Sequence, residues 1–233
     1  EADHIGYEQV AITAVMTMQR FHDYVAYERF TEEGPIAILP LTDGRCGMVW
    51  TRKPAEVERM LALSDDEFLR EFQSAFGFRL GRFLRIGQRA SYNLMLSRAD
   101  RHIAQRLAVV GNAAQGLHPI AGQGFNLGLR DAMSLAEVIA DRRVAGTMDP
   151  GDADLLQDYA DWRETDRRRI VAFTDGLVRL FATPLGVLRS LRSLGILAFD
   201  VLPPAKSALA RLSVGAAERV PRLARGVPLA GIR

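Results

Sequence analysis

The sequence is poor in cysteine and has no long apolar run. Its 233 residues include one cysteine, Cys46. A single thiol cannot form an internal disulfide, and such a composition fits a reducing compartment. No uninterrupted apolar segment reaches the roughly 18–20 residues that span a bilayer, and no basic-then-apolar signal peptide opens the chain. These absences predict a cytoplasmic protein, with peripheral contact at the inner membrane left open.

The sequence also lacks the motifs of several kinds of functional site. His4, His22 and His102 lack metal-ligand spacing, so we expect no metal site. No Ser-His-Asp or paired-carboxylate signature is present, and no G-x-G-x-x-G fingerprint follows a strand. Residues 162–233 carry 13 basic and 5 acidic side chains, which would suit an anionic partner. We expect no nucleic-acid binding, because no nucleic-acid motif accompanies this charge.

The first hundred residues predict an antiparallel meander. β-forming runs cover 7–19, 23–33, 36–41 and 46–51, and Asp43-Gly44 gives a hairpin signal between the last two. The sequence Ser64-Asp65-Asp66-Glu67 predicts a capping box at the start of a helix. Residues 82–97 return to strand character. A long amphipathic helix is predicted from Asp152, with Arg167-Arg168-Arg169 on a solvated face.

The central stretch, residues 107–140, predicts a strand, a glycine-rich loop and a helix. Leu107-Ala108-Val109-Val110 is long enough for one buried strand. The loop that follows would place the N–H groups of Gly124, Phe125 and Asn126 at the positive end of a helix dipole, which favours an anion or an electron-rich carbonyl. An ordinary strand-to-helix turn would use the same glycines for positive φ angles.

The order of residues in this loop carries a resemblance. FAD-dependent aromatic hydroxylases of the p-hydroxybenzoate-hydroxylase fold share the pattern G-D-A-A-H, then P-x-x-G-Q-G-x-N-x-G-x-x-D. The matching positions here are Gly111-Asn112-Ala113-Ala114-Gln115, Pro119, Gly122-Gln123-Gly124, Asn126, Gly128 and Asp131. Asn112 and Gln115 depart from the general pattern. With them, the motif resembles the ubiquinone-biosynthesis branch of the family, most closely the 2-octaprenyl-6-methoxyphenol hydroxylases.

Stretches outside the loop support the same resemblance. Four of them agree with that branch: Tyr7–Ala11, Glu28–Thr31, Leu39–Arg45 and Gln73–Gly77. The resemblance therefore covers nearly the whole chain and weakens towards the C-terminus. It implies an FAD-dependent monooxygenase that uses NAD(P)H and O2 to hydroxylate a polyprenyl phenol such as 2-octaprenyl-6-methoxyphenol.

The resemblance also implies roles for single residues. Asn112 would contact the flavin ribityl chain, Phe125 and Asn126 would offer N–H groups to the flavin pyrimidine carbonyl, and Pro119 would lie where substrate approaches the ring. The implied cofactor-binding set is Gly111, Asn112, Pro119, Gly122, Gln123, Gly124, Phe125 and Asn126. The flavin carries the chemistry, so no catalytic side chain is required. His118 is a candidate base, and packing is the alternative role for a His-Pro pair. Asp131 is expected to be a structural hydrogen-bond partner within its helix.

We predict an α+β fold, an antiparallel sheet followed by helices, as the C-terminal portion of a p-hydroxybenzoate-hydroxylase-like FAD/NAD(P)-binding fold without its N-terminal Rossmann segment. The expected divisions are 1–104 for the substrate-domain sheet, 105–145 for the second flavin motif and 146–233 for a helical region. On this reading the chain is part of a longer enzyme, inactive alone and weak in FAD binding.

Alternatives to this function remain open at this point. One is a sister ubiquinone-pathway hydroxylase that acts at another ring carbon. Another is a non-catalytic binding module without flavin. Because a polyprenyl phenol resides in the bilayer, the apolar run 184–202 and the basic residues near it are also candidates for peripheral membrane contact, or for contact with other ubiquinone-pathway proteins. These basic residues are Arg189, Arg192, Lys206, Arg211, Arg219, Arg222 and Arg225. A core helix is the alternative for 184–202.

Overall fold

The structure is a computed structural model that describes residues 2–31, 33–182, 201–213 and 219–231. Two compact units emerge from the contacts within the chain. The sheet unit consists of Gly6–Met95 with Val178–Thr183, and the helical unit consists of Glu1–Ile5, Leu96–Leu177 and Pro184–Arg233. Each unit is described by itself.

The sheet unit is built on antiparallel strands, as predicted. The strands of this sheet are β1 Ala2–Met18, β2 Tyr27–Thr31, β3 Gly34–Pro40, β4 Arg45–Arg52, β5 Phe83–Ile86 and β6 Ala90–Ala99. They run in the order β2-β3-β4-β1-β6, and β5 pairs with β1 as well. The β1–β4, β1–β5, β2–β3 and β3–β4 pairings are all antiparallel. The antiparallel pairing inferred from the sequence is confirmed, but the predicted meander holds only for β2-β3-β4, because β1 lies beside β4 and not beside β2.

Two turns of this unit depart from regular strand geometry. A 3₁₀ turn at Thr42–Gly44 joins β3 to β4, and Asp43 (φ 59°) and Gly44 (φ 66°) supply its left-handed conformation. The hairpin signal at Asp43-Gly44 is therefore confirmed. The second strand is shorter than the predicted 23–33, because Asp23 (φ 49°) and Tyr24 (φ 59°) have left-handed backbones that cannot continue a strand.

Two helices cover the core face of this sheet. They are α1 Pro54–Ala62 and α2 Asp65–Phe76. The capping box is confirmed, since Ser64 Oγ accepts from the Glu67 N–H and the Glu67 carboxylate accepts from the Ser64 N–H. Apolar residues recur on one face of α2, so Phe68 and Phe72 pack edge-to-face against Trp50 with ring centroids 5.6 and 5.2 Å away.

The helical unit contains most of the remaining regular structure. Its helices are α3 Gln123–Val144, α4 Ala153–Ala182 and α5 Pro203–Ser213. α4 begins directly after Asp152, close to the predicted start, and Asp152 Oδ1 caps it by accepting from the N–H groups of Asp154 and Leu155. Val138 of α3 packs with Leu155, Leu156 and Tyr159 of α4 in a small core. The sheet followed by helices confirms the α+β class.

The helical unit also contains three strands of two residues each: β7 Ile103–Ala104, β8 Leu107–Ala108 and β9 Gln115–Gly116. The prediction of a buried strand over 107–110 is wrong. Only Leu107–Ala108 is extended in a ladder, its antiparallel partner is β7, and the Leu107 side chain is 53% exposed. A buried strand needs hydrogen-bonded neighbours on both edges, and among the described residues only β7 pairs with this one.

Of the predicted membrane-contact segment 184–202, residues up to 200 lie outside the described part of the chain. Within the described residues, none of the helices has the length and apolar character needed to cross a bilayer.

Candidate functional site

The glycine loop and the start of α3 form an uncapped helix N-terminus. Gly122 is the N-cap residue in left-handed conformation (φ 60°), and no side chain caps the helix. The first turn contains no acidic residue. The first four N–H groups of a helix have no partner within it, so those of residues 123–126 combine with the helix dipole to favour an electron-rich group.

Two glycines explain how close the loop lies to the helix. A Cβ built on Gly128 of α3 would lie 3.0 Å from Gly111 Cα, inside ordinary carbon–carbon contact. Gly111 itself is left-handed (φ 63°). By contrast, a Cβ on Gly122 or Gly124 would meet nothing within 4 Å. The loop is thus packed tightly at Gly111 and open at Gly122 and Gly124.

The predicted cofactor-binding residues are close in sequence but differ in accessibility. Asn112, Pro119, Gly122, Phe125 and Asn126 are exposed, and the Phe125 ring is 77% exposed at the first turn of α3. Gly111 and Gly124 are half-buried and Gln123 is buried. Open backbone at residues 122 and 124, beside an exposed aromatic ring, fits the approach of a flat ring with carbonyl oxygens.

His118 is a buried part of the same loop. Its side chain is 1% exposed, and Nδ1 accepts a hydrogen bond from the Ile120 N–H at 3.2 Å. Burial lowers the pKa of His118 to about 4, since desolvation penalises the imidazolium. The neutral ring fastens the loop to its own backbone, which agrees with the packing alternative. Its use as a base remains a prediction that the geometry does not test.

Asp131 connects the loop to both long helices of this unit. Its carboxylate is fully buried and accepts from Gln115 Nε2 at 3.0 Å and from Arg163 Nε at 2.8 Å. Arg167 lies 3.4 Å from the same carboxylate. Asp131 is therefore a structural hydrogen-bond partner, as expected, but the prediction that it bonds within its own helix is wrong, because these partners come from the loop and from α4.

The arginines of α4 correct one prediction. Arg167 was expected on a solvated face, but it is 3% exposed and donates to Tyr159 Oη at 2.7 Å. Arg163 also bonds Asp166, which in turn accepts from Arg130. Burial is the first cause of the rise in the pKa of Tyr159 to about 12. Two carboxylates, Asp131 and Asp166, offset part of the charge of the three buried guanidinium groups of Arg130, Arg163 and Arg167.

Sequence reasoning missed this buried ion network. A signal was present, because Arg163 and Asp166 fall between Tyr159 and Ile170 at helical spacing on one face of α4. A shallow cleft of about 710 Å³ lies elsewhere, between residues such as Asp141, Trp162 and Arg219. The loop residues do not line it.

Comparison with solved structures shows the fold. OxyS anhydrotetracycline hydroxylase from Streptomyces rimosus aligns with a TM-score of 0.62 at 22% identity, over 99% of this chain and 44% of that one. A single-residue variant of HpxO from Klebsiella pneumoniae, solved in complex with FAD, aligns with a TM-score of 0.66 at 14% identity, over 94% of this chain and 56% of that one. The fold is that of FAD-dependent aromatic hydroxylases.

Sequence comparison then gives the family: the chain belongs to the FAD binding domain family, whose model matches residues 4–174. Ubiquinone hydroxylase UbiL of Rhodospirillum rubrum is 42% identical over 97% of this chain and 53% of that protein. The mitochondrial ubiquinone biosynthesis monooxygenase COQ6 of Caenorhabditis elegans is 30% identical over 88% of this chain and 53% of its own length. The chain thus spans about half the length of these relatives, and the expected resemblance to ubiquinone-pathway hydroxylases is confirmed.

Proposed function

We propose that this chain is the ring-binding half of an FAD-dependent monooxygenase that hydroxylates a polyprenyl phenol in ubiquinone biosynthesis. The observation that carries the proposal is the start of α3, where a left-handed glycine replaces a side-chain cap and open backbone lies at Gly124. An uncapped, unobstructed helix N-terminus suits a ligand carbonyl that gains negative charge.

Different residues of the chain contact different parts of the flavin in this proposal. The N–H groups of Phe125 and Asn126 stabilise negative charge at the pyrimidine carbonyl. Asn112 is exposed beside Gly111, and its amide can donate to and accept from the ribityl hydroxyls. Pro119, also exposed, forms part of the wall along which the phenol approaches. When bound, FAD supplies the redox chemistry, the transfer of electrons from NAD(P)H to O2 that ring hydroxylation requires.

The substrate class follows from the relatives rather than from a pocket in this chain. UbiL and COQ6 are named for ubiquinone hydroxylation and biosynthesis, so we assign the same pathway here, with 2-octaprenyl-6-methoxyphenol as the first candidate and a phenol hydroxylated at another ring carbon as the second. The loop residues Asn112 and Gln115, which differ from the general motif, support this branch.

Peripheral membrane contact remains part of the proposal. Two of the basic residues invoked for it are already engaged within the helical unit: Arg219 pairs with Glu137, and Arg222 pairs with Asp141 and Glu137. Arg225 is exposed. Membrane attraction would therefore rest on Arg225 and on the basic residues nearer the apolar run 184–202.

A chimera tests the function directly. A Rhodospirillum rubrum strain lacking UbiL would receive a UbiL gene in which this chain replaces the matching half. We expect ubiquinone to be restored, which would assign to the chimera the hydroxylation step that the strain without UbiL lacks. Gly124→Val should abolish restoration, because the new side chain fills the open backbone approach.

Gly176→Val is the matched control. Gly176 lies in α4, and a Cβ there also meets nothing within 4 Å, but it is remote in sequence from the loop. The chimera should keep function with this change. A folded chimera that restores no ubiquinone and retains no flavin would refute the proposal. A chimera that works equally well with Gly124→Val would refute the assigned binding mode.

A further inference from the structure

We propose that Gln115 and Asp131 are positioning residues that set the height of the glycine loop above α3, and thereby the place of Asn112 relative to the helix start. The inference rests on the proposed function, since it concerns the loop that would hold the flavin. Neither side chain touches the ligand in this arrangement; both act through the backbone between residues 111 and 115.

Two ties bind this short segment to one face of α3. At its start, Gly111 packs so closely on Gly128 that a Cβ would come within 3.0 Å of Gly111 Cα. At its end, Gln115 Nε2 donates to Asp131 Oδ2 at 3.0 Å. Residues 128 and 131 are three apart and share a helix face. Asn112 lies between the two ties, so its position is fixed from both sides.

The hydrogen bond between Gln115 and Asp131 is buried, and the Asp131 carboxylate is held in place by α4. Gln115 is 3% exposed and Asp131 is fully buried, so water does not compete for their hydrogen bond. The other carboxylate oxygen of Asp131 accepts from Arg163 Nε at 2.8 Å, and Arg163 is held in turn by Asp166 at 2.7 Å. The carboxylate therefore keeps its orientation through α4, whatever the loop does.

The strand at Gln115 adds a backbone component. β9 pairs with β6 through Gln115 opposite Arg98 and Gly116 opposite Ser97. The Gly116 N–H donates to Ser97 Oγ at 3.0 Å. The Ala99 N–H also donates to Ala114 O at 2.9 Å, so backbone bonds to β6 hold residues 114–116. The buried amide–carboxylate bond adds a separate constraint that holds the segment to α3.

The chemistry of the pair allows the positioning role to be separated from general stability. Gln115 is neutral, and Asp131 retains Arg163 and Arg167 without it. Gln115→Leu therefore removes the loop's tie while leaving the buried charges compensated. Gln115→His keeps an N–H donor and should restore the tie. Gln157→Leu is the matched control, because Gln157 Nε2 also donates to an aspartate, Asp161, but on the exposed surface of α4.

The first measurement is amide hydrogen exchange in the chain itself, which needs no flavin. A hydrogen bond to a buried charged group is worth enough to slow local opening by about tenfold or more. Gln115→Leu should speed exchange at residues 111–116 by that factor, with Gln115→His close to wild type and Gln157→Leu unchanged in the loop. Unchanged loop exchange in Gln115→Leu would overturn the proposal.

The second measurement is flavin affinity and the flavin absorption spectrum in the UbiL chimera. We expect Gln115→Leu to weaken flavin binding about tenfold and to shift the spectrum, with both effects reversed by Gln115→His. A released loop with unchanged affinity and spectrum would show that the pair is structural only and would overturn the positioning role. A wild-type chimera that binds no flavin would overturn the proposed function and this role together, and the exchange data would still report whether the tie exists.

Discussion

Substituting the two helical glycines of the loop motif separates packing from ligand access. At Gly128, alanine would gain up to about 1 kcal/mol of helix propensity. Its methyl would lie 3.0 Å from Gly111 Cα, about 0.5–1 Å inside the optimal carbon–carbon distance. Relief is limited, because Gly111 is held in a left-handed conformation and Gln115 is tied to Asp131. Overpacking of this kind costs about 1–3 kcal/mol, so Gly128→Ala should be destabilising by up to about 2 kcal/mol.

Gly124→Ala should have the opposite sign. A Cβ at Gly124 meets nothing within 4 Å, and the helical backbone gains up to about 1 kcal/mol. Urea denaturation followed by circular dichroism would measure both variants, and we expect Gly128→Ala to unfold at lower urea than wild type and Gly124→Ala at equal or higher urea. In the chimera, Gly124→Ala should nevertheless bind flavin less well. Equal or greater stability of Gly128→Ala than of Gly124→Ala would refute the close-approach argument.

Two further predictions concern buried ionisable groups. Because the pKa of His118 falls from its ordinary 6.5 to about 4, the unfolded chain binds a proton between these pH values while the folded chain does not. The free energy of unfolding should therefore fall by about 2 kcal/mol from pH 7.5 to pH 5. His118→Gln should remove this pH-dependent loss, and an unchanged pH dependence in the variant would contradict the burial of His118. Asp131→Asn should be destabilising by about 3–5 kcal/mol, since Arg163 and Arg167 lose their shared counter-charge. Asp149→Asn removes a carboxylate from an exposed pair with Arg106 and should change the urea midpoint far less. Similar losses of stability in both variants would argue against the buried ion network.

Local signals in the sequence predicted the sheet unit well. The Asp43-Gly44 turn and the Ser64–Glu67 box are each specified by neighbouring residues, so no distant partner was needed to infer them. Strand limits were less secure. Asp23 and Tyr24 have left-handed backbones, but neither is a glycine, so the sequence did not mark this point as a break in the strand.

Tertiary partners explain the predictions that failed. The run Leu107–Val110 has the composition of a buried strand, but burial depends on neighbouring strands, and only β7 pairs with it among the described residues. Arg168 and Arg169 are exposed as predicted, whereas Arg167 is buried because Asp131 of another helix lies beside it. The candidate loop itself was predicted from its motif, whereas its tie through Gln115 required knowing that α3 and α4 meet at Asp131.

The pairing of β1 also has a consequence for how the sheet unit is made in the cell. β2 pairs with β3 and β3 with β4, each with its neighbour in sequence, whereas β1 pairs with β4, with Thr17 opposite Arg45 and Val10 opposite Arg52. At about 5–20 residues per second, a ribosome needs roughly 1–6 s to add the residues between Thr17 and Arg45. During that interval the long first strand has no β4 to join, while the β3–β4 hairpin closes within microseconds once it is made. β1 is thus made before its partner β4 and paired late, so for that interval its unpaired backbone groups can pair with strands of other chains.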